Sequence, residues 1–368
     1  MNSSATADVL TETQGHLGLI TLNRPQALNA LSLEMVRAIH DALIAFRDEA
    51  AVHAVLFVGT NREGRAPAFC AGGDIRFFHE AAWAGDSQLD EFFTEEYALN
   101  HFIHHYPKPT IAWMDGVVMG GGMGLAQGAS IRIVTERAKL AMPETHIGLF
   151  PDVGGGHFLA RSPGSVGEYL GLTGRVLAAG DAIAWRLADA YMNSDALPAL
   201  MADLASDALS HADHAASIVD EHAEIAPPAD VAQHEALIDR HFALADVTAI
   251  AGSLEADESD WAAQALDALN ARSPLMLAVT LEQIRRGRRM GLADELRMER
   301  DLVHHSFHMH GPAESDTVEG IRALAIEKDH HPRWRDASID AVNPATVAAF
   351  FVSPWEAAEH PLRALKDG

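Results

Sequence analysis

The chain has 368 residues, 48% of them hydrophobic, which is enough to bury a large core. Its 27 basic and 52 acidic residues give a formal net charge of -25, so nucleic acids and anionic membranes are unfavourable partners. The single cysteine, Cys70, excludes an internal disulfide and a cysteine-rich metal cage. No apolar run is long enough to span a bilayer, and Met1–Asp8 lacks the features of a secretory or mitochondrial leader. These features predict a cytoplasmic protein.

Apolar strands alternate with helical stretches over the first two hundred or so residues. Short apolar runs predict strands at Leu17–Leu22, Ala54–Val58, Thr110–Met114 and Ile131–Val134, and a helical period predicts a helix at Ser32–Arg47. This alternation is typical of the α/β class, because each helix can cover a face of a largely parallel sheet.

Beyond Asp195 the strand signals stop, and Ala, Leu, Asp and Arg recur with helical periodicity. Ser273-Pro274 is typical of a helix start, and Leu292–Phe307 is amphipathic. The segment His211–Pro228 ends in two prolines and is predicted to be an exposed connector. We therefore expect an α/β core at residues 1–200 and a helical C-terminal region at residues 201–368 that packs on the core.

Two glycine-rich loops each follow a predicted strand. Their central residues are Ala71, Gly72, Gly73 and Asp74 in the first loop and Gly120, Gly121 and Gly122 in the second. A helix is predicted to leave the second loop at Leu125–Ala129. Glycine lets a backbone approach a ligand closely, and N–H groups at a helix start carry the positive end of the helix dipole. Such loops suit the stabilisation of a developing oxyanion.

Four segments together resemble the crotonase superfamily, also called the enoyl-CoA hydratase/isomerase family. They are Leu22–Leu31, Phe69–Asp74, Asp115-Gly116 before the triple glycine, and Pro143–Gly156. The resemblance implies a four-turn β/α spiroid core that binds acyl-CoA and holds the thioester oxygen with two backbone N–H groups. Those two donors correspond to Gly73 and Gly121.

Within that family the chain looks most like the 3-hydroxyisobutyryl-CoA hydrolases, in the stretches Thr94–Asn100, Met142–Gly156 and Glu319–Ala323. This resemblance implies hydrolysis of a short hydroxyacyl-CoA in valine degradation. It also implies that the following residues line the substrate site: Ala71, Gly72, Gly73, Asp74, Arg76, Glu96, Gly120, Gly121, Glu144 and Asp152. At the position where a typical hydratase carries its first catalytic glutamate, this chain has Gly124, which disfavours hydration.

Thioester hydrolysis needs a nucleophile or an activated water and a polarised carbonyl. Glu144 is the candidate for attack on the carbonyl or for activation of water, and the sequence leaves both open. Asp152 would orient the water or share a proton with Glu144, so one pKa of the pair should be raised. Glu96 would bind the substrate hydroxyl or position Glu144. The alternatives are a surface or capping acid for Glu144 and a solvated acid for Glu96.

The strongly negative chain must bind the CoA phosphates through local positive charge. Arg76 stands where family members often carry a basic residue near those phosphates, and Arg24 is a second candidate. Many relatives have lysine at the position of Gln26, so one phosphate contact is in doubt. For both arginines the alternative is an ordinary surface charge.

Histidine occurs 21 times, but no His-Glu-x-x-His pattern is present, so we predict neither a metal ion nor another cofactor beyond the CoA of the substrate. Two other functions stay open. One is an enoyl-CoA or dienoyl-CoA isomerase or hydratase of the same fold, and the other is a non-catalytic acyl-CoA-binding protein. Oligomeric state is also open, with a homo-oligomer as one alternative.

Overall fold

The computed structural model describes residues 7–61, Gly64 and 66–367, so most of the N-terminal segment examined for a leader lies outside the described residues. Contacts divide the chain into two compact units of three segments each. The first unit comprises Met1–Gly73, Phe102–Leu140 and Leu177–Asp230, and the second comprises Asp74–His101, Ala141–Val176 and Val231–Gly368. The domain boundary expected at residue 200 is based on where the strand signals stop in the sequence and not on contacts between residues. It stays a prediction.

The first unit is built on two β-sheets. Its strands are β1 (Val9–Gln14), β2 (Leu17–Leu22), β3 (Ala54–Gly59), β4 (Ala68–Cys70), β5 (Thr110–Met114), β6 (Val117–Met119), β7 (Ile131–Val134), β8 (Lys139–Ala141) and β9 (Ala190–Tyr191). The larger sheet has the order β1-β2-β3-β5-β7-β9, and the smaller has the order β4-β6-β8. Only β1 and β2 pair antiparallel in the larger sheet. Neighbouring parallel strands place Leu19 opposite Leu56 and Leu56 opposite Ile111.

The helices of the first unit are α1 (Leu33–Asp48), α4 (Gly121–Gly128), α7 (Ala179–Ala184), α8 (Leu197–Ala205) and α9 (His214–His222). In α1 the Ser32 side chain accepts a hydrogen bond from the Met35 N–H, which satisfies one of the free donors at the helix start. Ile39, Leu43 and Phe46 follow on the buried face. The strands β2, β3 and β5 are mostly apolar and almost completely buried, because parallel strands are usually covered on both faces.

The regular secondary structure of the second unit is almost entirely helical. They are α2 (Ile75–Ala84), most of α3 (Gln88–His104), α5 (Gly155–Leu159), α6 (Val166–Thr173), α10 (Glu235–Phe242), α11 (Val247–Glu255), α12 (Asp260–Asn270), α13 (Pro274–Gly287), α14 (Leu292–His308), α15 (Asp316–Ile321) and α16 (Pro344–Phe350). Among the described residues no strand follows Tyr191, so the predicted helical C-terminal region is confirmed. None of the described helices is both long and apolar enough to cross a membrane.

A cluster of phenylalanine rings joins three helices of the second unit. Phe78 of α2 lies 4.8 Å from Phe92 and 4.9 Å from Phe93 of α3, measured between ring centroids. Phe307 of α14 lies 5.7 Å from Phe93. Large aromatic rings in tilted and edge contacts bury much apolar area, so this cluster fixes the position of α3 in the unit.

Two local predictions were wrong. The helix after the second glycine loop begins at Gly121 and not at Leu125. Its first turn packs against the end of β4, because a Cβ on Gly122 would lie 2.2 Å from the Cys70 carbonyl oxygen. The segment His211–Pro228 is not simply an exposed connector. Its helix α9 buries Ile218 and Val219 in the core of the first unit.

Candidate active site

Asp152 and Glu144 lie on two turns of the second unit. Glu144 begins a short 3-10 helix, Glu144–Ile147, and Asp152 follows Pro151 just before α5. Their exposed fractions are only 6% for Glu144 and 5% for Asp152, so Glu144 is not a surface acid. Asp152 Oδ2 accepts a hydrogen bond of 2.8 Å from the Tyr97 hydroxyl. Acidic side chains are rarely buried unless they are paired. Two buried acids close together are therefore typical of a functional site.

Glu96 is a third buried acid of the same unit. It lies on the buried stripe of α3 together with Phe92, Phe93 and Tyr97, and only 2% of its surface is exposed. The solvated alternative for Glu96 is therefore wrong. The neighbouring acids in α3 suggested that Glu96 is solvated. Its spacing from Phe92 and Phe93, however, places Glu96 on the apolar face of the helix.

Burial raises the pKa of all three acids, because the charged form loses its hydration. The pKa of Asp152 is raised to about 6, with the Tyr97 hydrogen bond opposing the rise. For Glu144, burial and then the charge of Asp152 raise the pKa well above its usual value. Burial, Asp152 and Glu144 do the same to the pKa of Glu96. The charge of Asp152 therefore opposes ionisation of both glutamates.

Two carboxyl oxygens of this cluster are buried without a hydrogen-bond partner among the described residues. They are Oε2 of Glu144 and Oε1 of Glu96. An unsatisfied buried polar atom costs about 1–3 kcal/mol, so proteins keep such atoms mainly where they serve a function. Both oxygens have free capacity to accept a hydrogen bond from substrate or water.

The turn that carries Glu144 is supported by α15. The Thr317 hydroxyl donates a 2.6 Å hydrogen bond to the Gly148 carbonyl. A Cβ on Gly320 would lie 2.4 Å from the carbonyl carbon of Ile147, so only glycine permits this approach. The Glu319–Ala323 motif singled out in the sequence thus acts by packing against the Glu144 turn.

The two glycine loops meet within the first unit. The Ala71 N–H donates to the Leu28 carbonyl at 3.0 Å, and the Gly72 carbonyl accepts from the Leu31 N–H at 2.8 Å. Gly72 has a φ of +109°, and a Cβ there would lie 3.3 Å from the Met119 carbonyl oxygen and 3.7 Å from the Gly121 nitrogen. The loops predicted to supply one N–H each are therefore adjacent.

Gly121 is the first residue of α4, and Gly120 caps it with a φ of +49°. The N–H groups of the first turn of an α-helix have no acceptor within the helix, so the Gly121 N–H is available to a ligand. Gly124 lies in the same helix, and its N–H donates to the Gly120 carbonyl at 3.0 Å. The position of the missing hydratase glutamate is thus a buried helical glycine without a side chain to supply acid or base.

Asn29 is a structural residue that the sequence reasoning did not single out. It is fully buried, and its Nδ2 donates to the carbonyls of Ala68 at 2.8 Å and Thr60 at 3.0 Å. Its Oδ1 accepts from the Arg24 N–H, and the Arg24 guanidinium donates to the Ala30 carbonyl at 3.0 Å. Arg24 thus supports its own loop, and its contact with a CoA phosphate stays a prediction.

Asp74 and Arg76 belong to the first turn of α2 in the second unit. The Asp74 side chain accepts from the Phe77 N–H at 3.4 Å and caps the helix. Arg76 is exposed, as a residue that binds a phosphate from solvent must be. Its role in binding CoA stays a prediction.

Within the described part of the second unit, Asp90, His304 and His308 form a group that could ligate a metal ion. Asp90 Oδ1 already accepts a 2.6 Å hydrogen bond from Arg300, and Oδ2 lies 3.0 Å from His308 Nε2. Although burial opposes it, hydrogen bonds from these histidines and Arg300 lower the pKa of Asp90. The guanidinium satisfies the carboxylate, so we assign this group to ion pairing.

The fold and the site together define a class of protein. A family model described as enoyl-CoA hydratase/isomerase matches residues 17–351, and the chain belongs to this family. The crotonase-like α/β fold predicted from the sequence is confirmed.

Three relatives illustrate the similarity. The chain is 37% identical to the mitochondrial 3-hydroxyisobutyryl-CoA hydrolase of Gallus gallus, over 93% of this chain and 88% of that protein. Among solved structures, a carnitinyl-CoA dehydratase from Mycobacterium thermoresistibile is 37% identical with a TM-score of 0.86, covering 94% of this chain and 97% of the other. An enoyl-CoA hydratase from Rhodobacter sphaeroides 2.4.1 is 39% identical with a TM-score of 0.85, covering 95% and 98%.

Proposed function

We propose that the protein is a thioesterase that converts 3-hydroxyisobutyryl-CoA and water into 3-hydroxyisobutyrate and CoA. The observation that carries this proposal is the buried pair Glu144 and Asp152, whose pKa values are both raised. The full-length similarity to a protein named as this hydrolase supports the choice of substrate. The valine degradation pathway follows from that substrate.

Each residue has its own part in the proposed reaction. The Gly73 and Gly121 N–H groups bind the thioester oxygen and stabilise the negative charge that develops on it. Ionised Glu144 either attacks the carbonyl carbon or takes a proton from the attacking water. On both routes the C–S bond breaks and the thiolate of CoA leaves. If Glu144 attacks, an anhydride with the acyl group forms, and water then cleaves it to give the free acid and restore Glu144. If Glu144 takes a proton from water, that water supplies the new carboxylate oxygen directly. Asp152 orients the water or shares its proton with Glu144.

The hydroxyl of the substrate needs a hydrogen-bond partner, and Glu96 supplies one in this proposal. Its Oε1 is buried and has no partner among the described residues. A site that bonds a substrate hydroxyl discriminates strongly against an analogue without it, because a buried polar atom is then left unpaired. Arg76 contacts the CoA phosphates, and no cofactor beyond the CoA of the substrate is needed.

Hydration or dehydration of an enoyl-CoA is the second candidate function, because two similar solved proteins are named for such reactions. Adding water across a double bond needs an acid and a base placed about that bond. Gly124 offers neither. The side-chain chemistry of this chain therefore favours hydrolysis.

A panel of short acyl-CoA thioesters, scored by release of free thiol, tests the proposal. It includes 3-hydroxyisobutyryl-CoA, 3-hydroxypropionyl-CoA and isobutyryl-CoA, which lacks the hydroxyl. We expect hydrolysis of the hydroxyacyl thioesters and a loss of at least about a hundredfold in kcat/KM for isobutyryl-CoA. Isomerases and non-catalytic binding proteins release no thiol from any of them.

Location and assembly complete the proposal. We place the protein in the cytoplasm, and the single, buried cysteine is compatible with a reducing compartment. The name of the Gallus gallus relative assigns that protein to mitochondria. Fractionation of the source cells decides the location, and light scattering of the purified protein tests for a homo-oligomer.

A further inference from the structure

The turn that carries Asp152 has an unfavourable backbone. Val153 has a φ of +58° and Gly154 a φ of +86°, both in the left-handed region. For a β-branched residue such as Val153 this conformation costs about 1–3 kcal/mol, and it persists only when surrounding contacts stabilise it. Other groups must therefore hold the turn in place.

Glu299 of α14 holds one side of this turn. Its Oε2 accepts a 2.8 Å hydrogen bond from the Gly154 N–H, and its Oε1 accepts a 3.2 Å hydrogen bond from the Gly156 N–H. A buried backbone N–H left without an acceptor costs about 1–3 kcal/mol. One side chain thereby fixes two peptide groups immediately after Asp152.

Gln283 of α13 holds the other side. Its Nε2 donates to the Pro151 carbonyl at 2.7 Å and to Glu299 Oε1 at 3.0 Å. Asp152 is thus bracketed by anchored peptide groups at Pro151 and Gly154. Among these contacts, only the side chains of Gln283 and Glu299 come from distant segments of the chain.

Glu295 lies one helical turn before Glu299, and both side chains are completely buried. Burial raises the pKa of Glu295 to about 7 and that of Glu299 well above its usual value, and the charge of Asp152 adds to both shifts. A hydrogen bond between the two carboxyls opposes the pKa shift of Glu295 and adds to that of Glu299. Coulomb interactions are mutual, so ionisation of the pair also raises the pKa of Asp152.

We propose that Glu299, joined to Glu295 and Gln283, is a positioning residue that keeps Asp152 in its reactive place. It acts through the backbone of the Pro151–Gly156 turn and does not contact substrate. Among the described residues no cation pairs with Glu299, and burial of an unpaired acid is costly, so a functional reason for its presence is required. Only the kinetic tests of this inference rest on the proposed function, because they measure thiol release.

The test is Glu299→Gln, which keeps the shape of the side chain and removes one acceptor and the charge. Three readouts are made on the full chain: amide hydrogen exchange at Gly154 and Gly156, kcat and KM, and the pH profile of kcat/KM. We expect faster exchange at both glycines, a fall in kcat of at least about tenfold with little change in KM, and an acid limb moved to lower pH.

A second variant reaches the same contact from the opposite side. In Gly156→Ala the new Cβ would lie 2.2 Å from Glu295 Oε1 and 3.0 Å from Gln283 Nε2, so it displaces the acid pair without removing a charge. As in Glu299→Gln, we expect a lower kcat and faster exchange at Gly154. Unlike Glu299→Gln, this variant should leave the acid limb of the pH profile in place. This variant keeps the proposal testable if Glu299→Gln does not fold.

The control is Glu168→Gln, which breaks the partly buried ion pair of Glu168 with Arg288 at 2.7 Å in the same unit. It should lower stability while leaving exchange at Gly154 and the pH profile unchanged. Equal effects of the control and Glu299→Gln, or unchanged exchange at Gly154 and Gly156 in Glu299→Gln, would overturn the inference. If the wild-type protein releases no thiol, the proposed function fails, and the exchange data alone still decide whether Glu299 holds the turn.

Discussion

The Tyr97 hydroxyl donates a 2.8 Å hydrogen bond to Asp152 Oδ2, and this bond makes the acids of the site unequal. It favours the ionised form of Asp152, whose pKa burial raises to about 6, whereas Glu144 has an Oε2 with no partner among the described residues. Burial and then the charge of Asp152 raise the pKa of Glu144 well above its usual value. Ionisation of Asp152 therefore opposes ionisation of Glu144.

Replacing Tyr97 with phenylalanine removes the hydrogen bond and keeps the ring, which lies 6.0 Å from that of Phe93. A hydrogen bond to a charged group contributes about 1.5–3 kcal/mol, equivalent to roughly one to two pH units. The bond lowers the pKa of Asp152, so its loss should raise that pKa. Titration of the Asp152 carboxyl followed by NMR in the wild-type protein and the variant checks this, and an unchanged pKa contradicts it.

Asp152→Asn should change the ionisation of Glu144. The variant keeps the shape of Asp152 and removes its charge, so Glu144 loses a nearby like charge and ionises more easily. We expect the rate to fall at every pH while the acid limb moves to lower pH. The same pH-rate measurement reports both effects. A profile that only falls, with its limbs unmoved, would make Asp152 a structural residue.

Gly121→Pro tests the oxyanion donor. Proline at the first position of a helix is tolerated because that N–H has no helical acceptor, so the variant removes the donor and keeps α4. We expect kcat to fall by about a hundredfold or more, the usual effect of losing one such donor. Gly121→Ala keeps the N–H and is the matched control. Thermal unfolding of both variants checks that the fold survives, and similar kcat values for the two would contradict the assignment.

The wild-type protein should hydrate crotonyl-CoA negligibly. Its Gly124 has no side chain to act as the acid or base that hydration requires. Loss of the enone absorbance of crotonyl-CoA is measured beside thiol release from 3-hydroxyisobutyryl-CoA. Hydration at a rate comparable with hydrolysis would favour the hydratase alternative.

The sequence predicted the two glycine loops and singled out Glu144 and Asp152 as site residues, because each of these motifs depends on residues close together along the chain. Strands β2, β5 and β7 were predicted with their observed bounds for the same reason. The Tyr97 contact and the roles of Glu295 and Glu299 were missed, because each joins segments far apart in sequence. The spacing within α14 does indicate that these two acids are buried. Glu295 and Glu299 lie within the stripe of buried residues that includes Leu292, Leu296 and Leu302.

Turnover by Glu144→Gln tests the central claim most directly, because the proposed chemistry depends on one ionised carboxyl. Glutamine keeps the size of the side chain and can neither attack the carbonyl nor accept a proton from water. We predict that thiol release from 3-hydroxyisobutyryl-CoA is abolished while calorimetry still detects binding of the thioester. Retention of more than about a tenth of wild-type turnover, a change of less than about 1.4 kcal/mol in the barrier, would place the chemistry elsewhere.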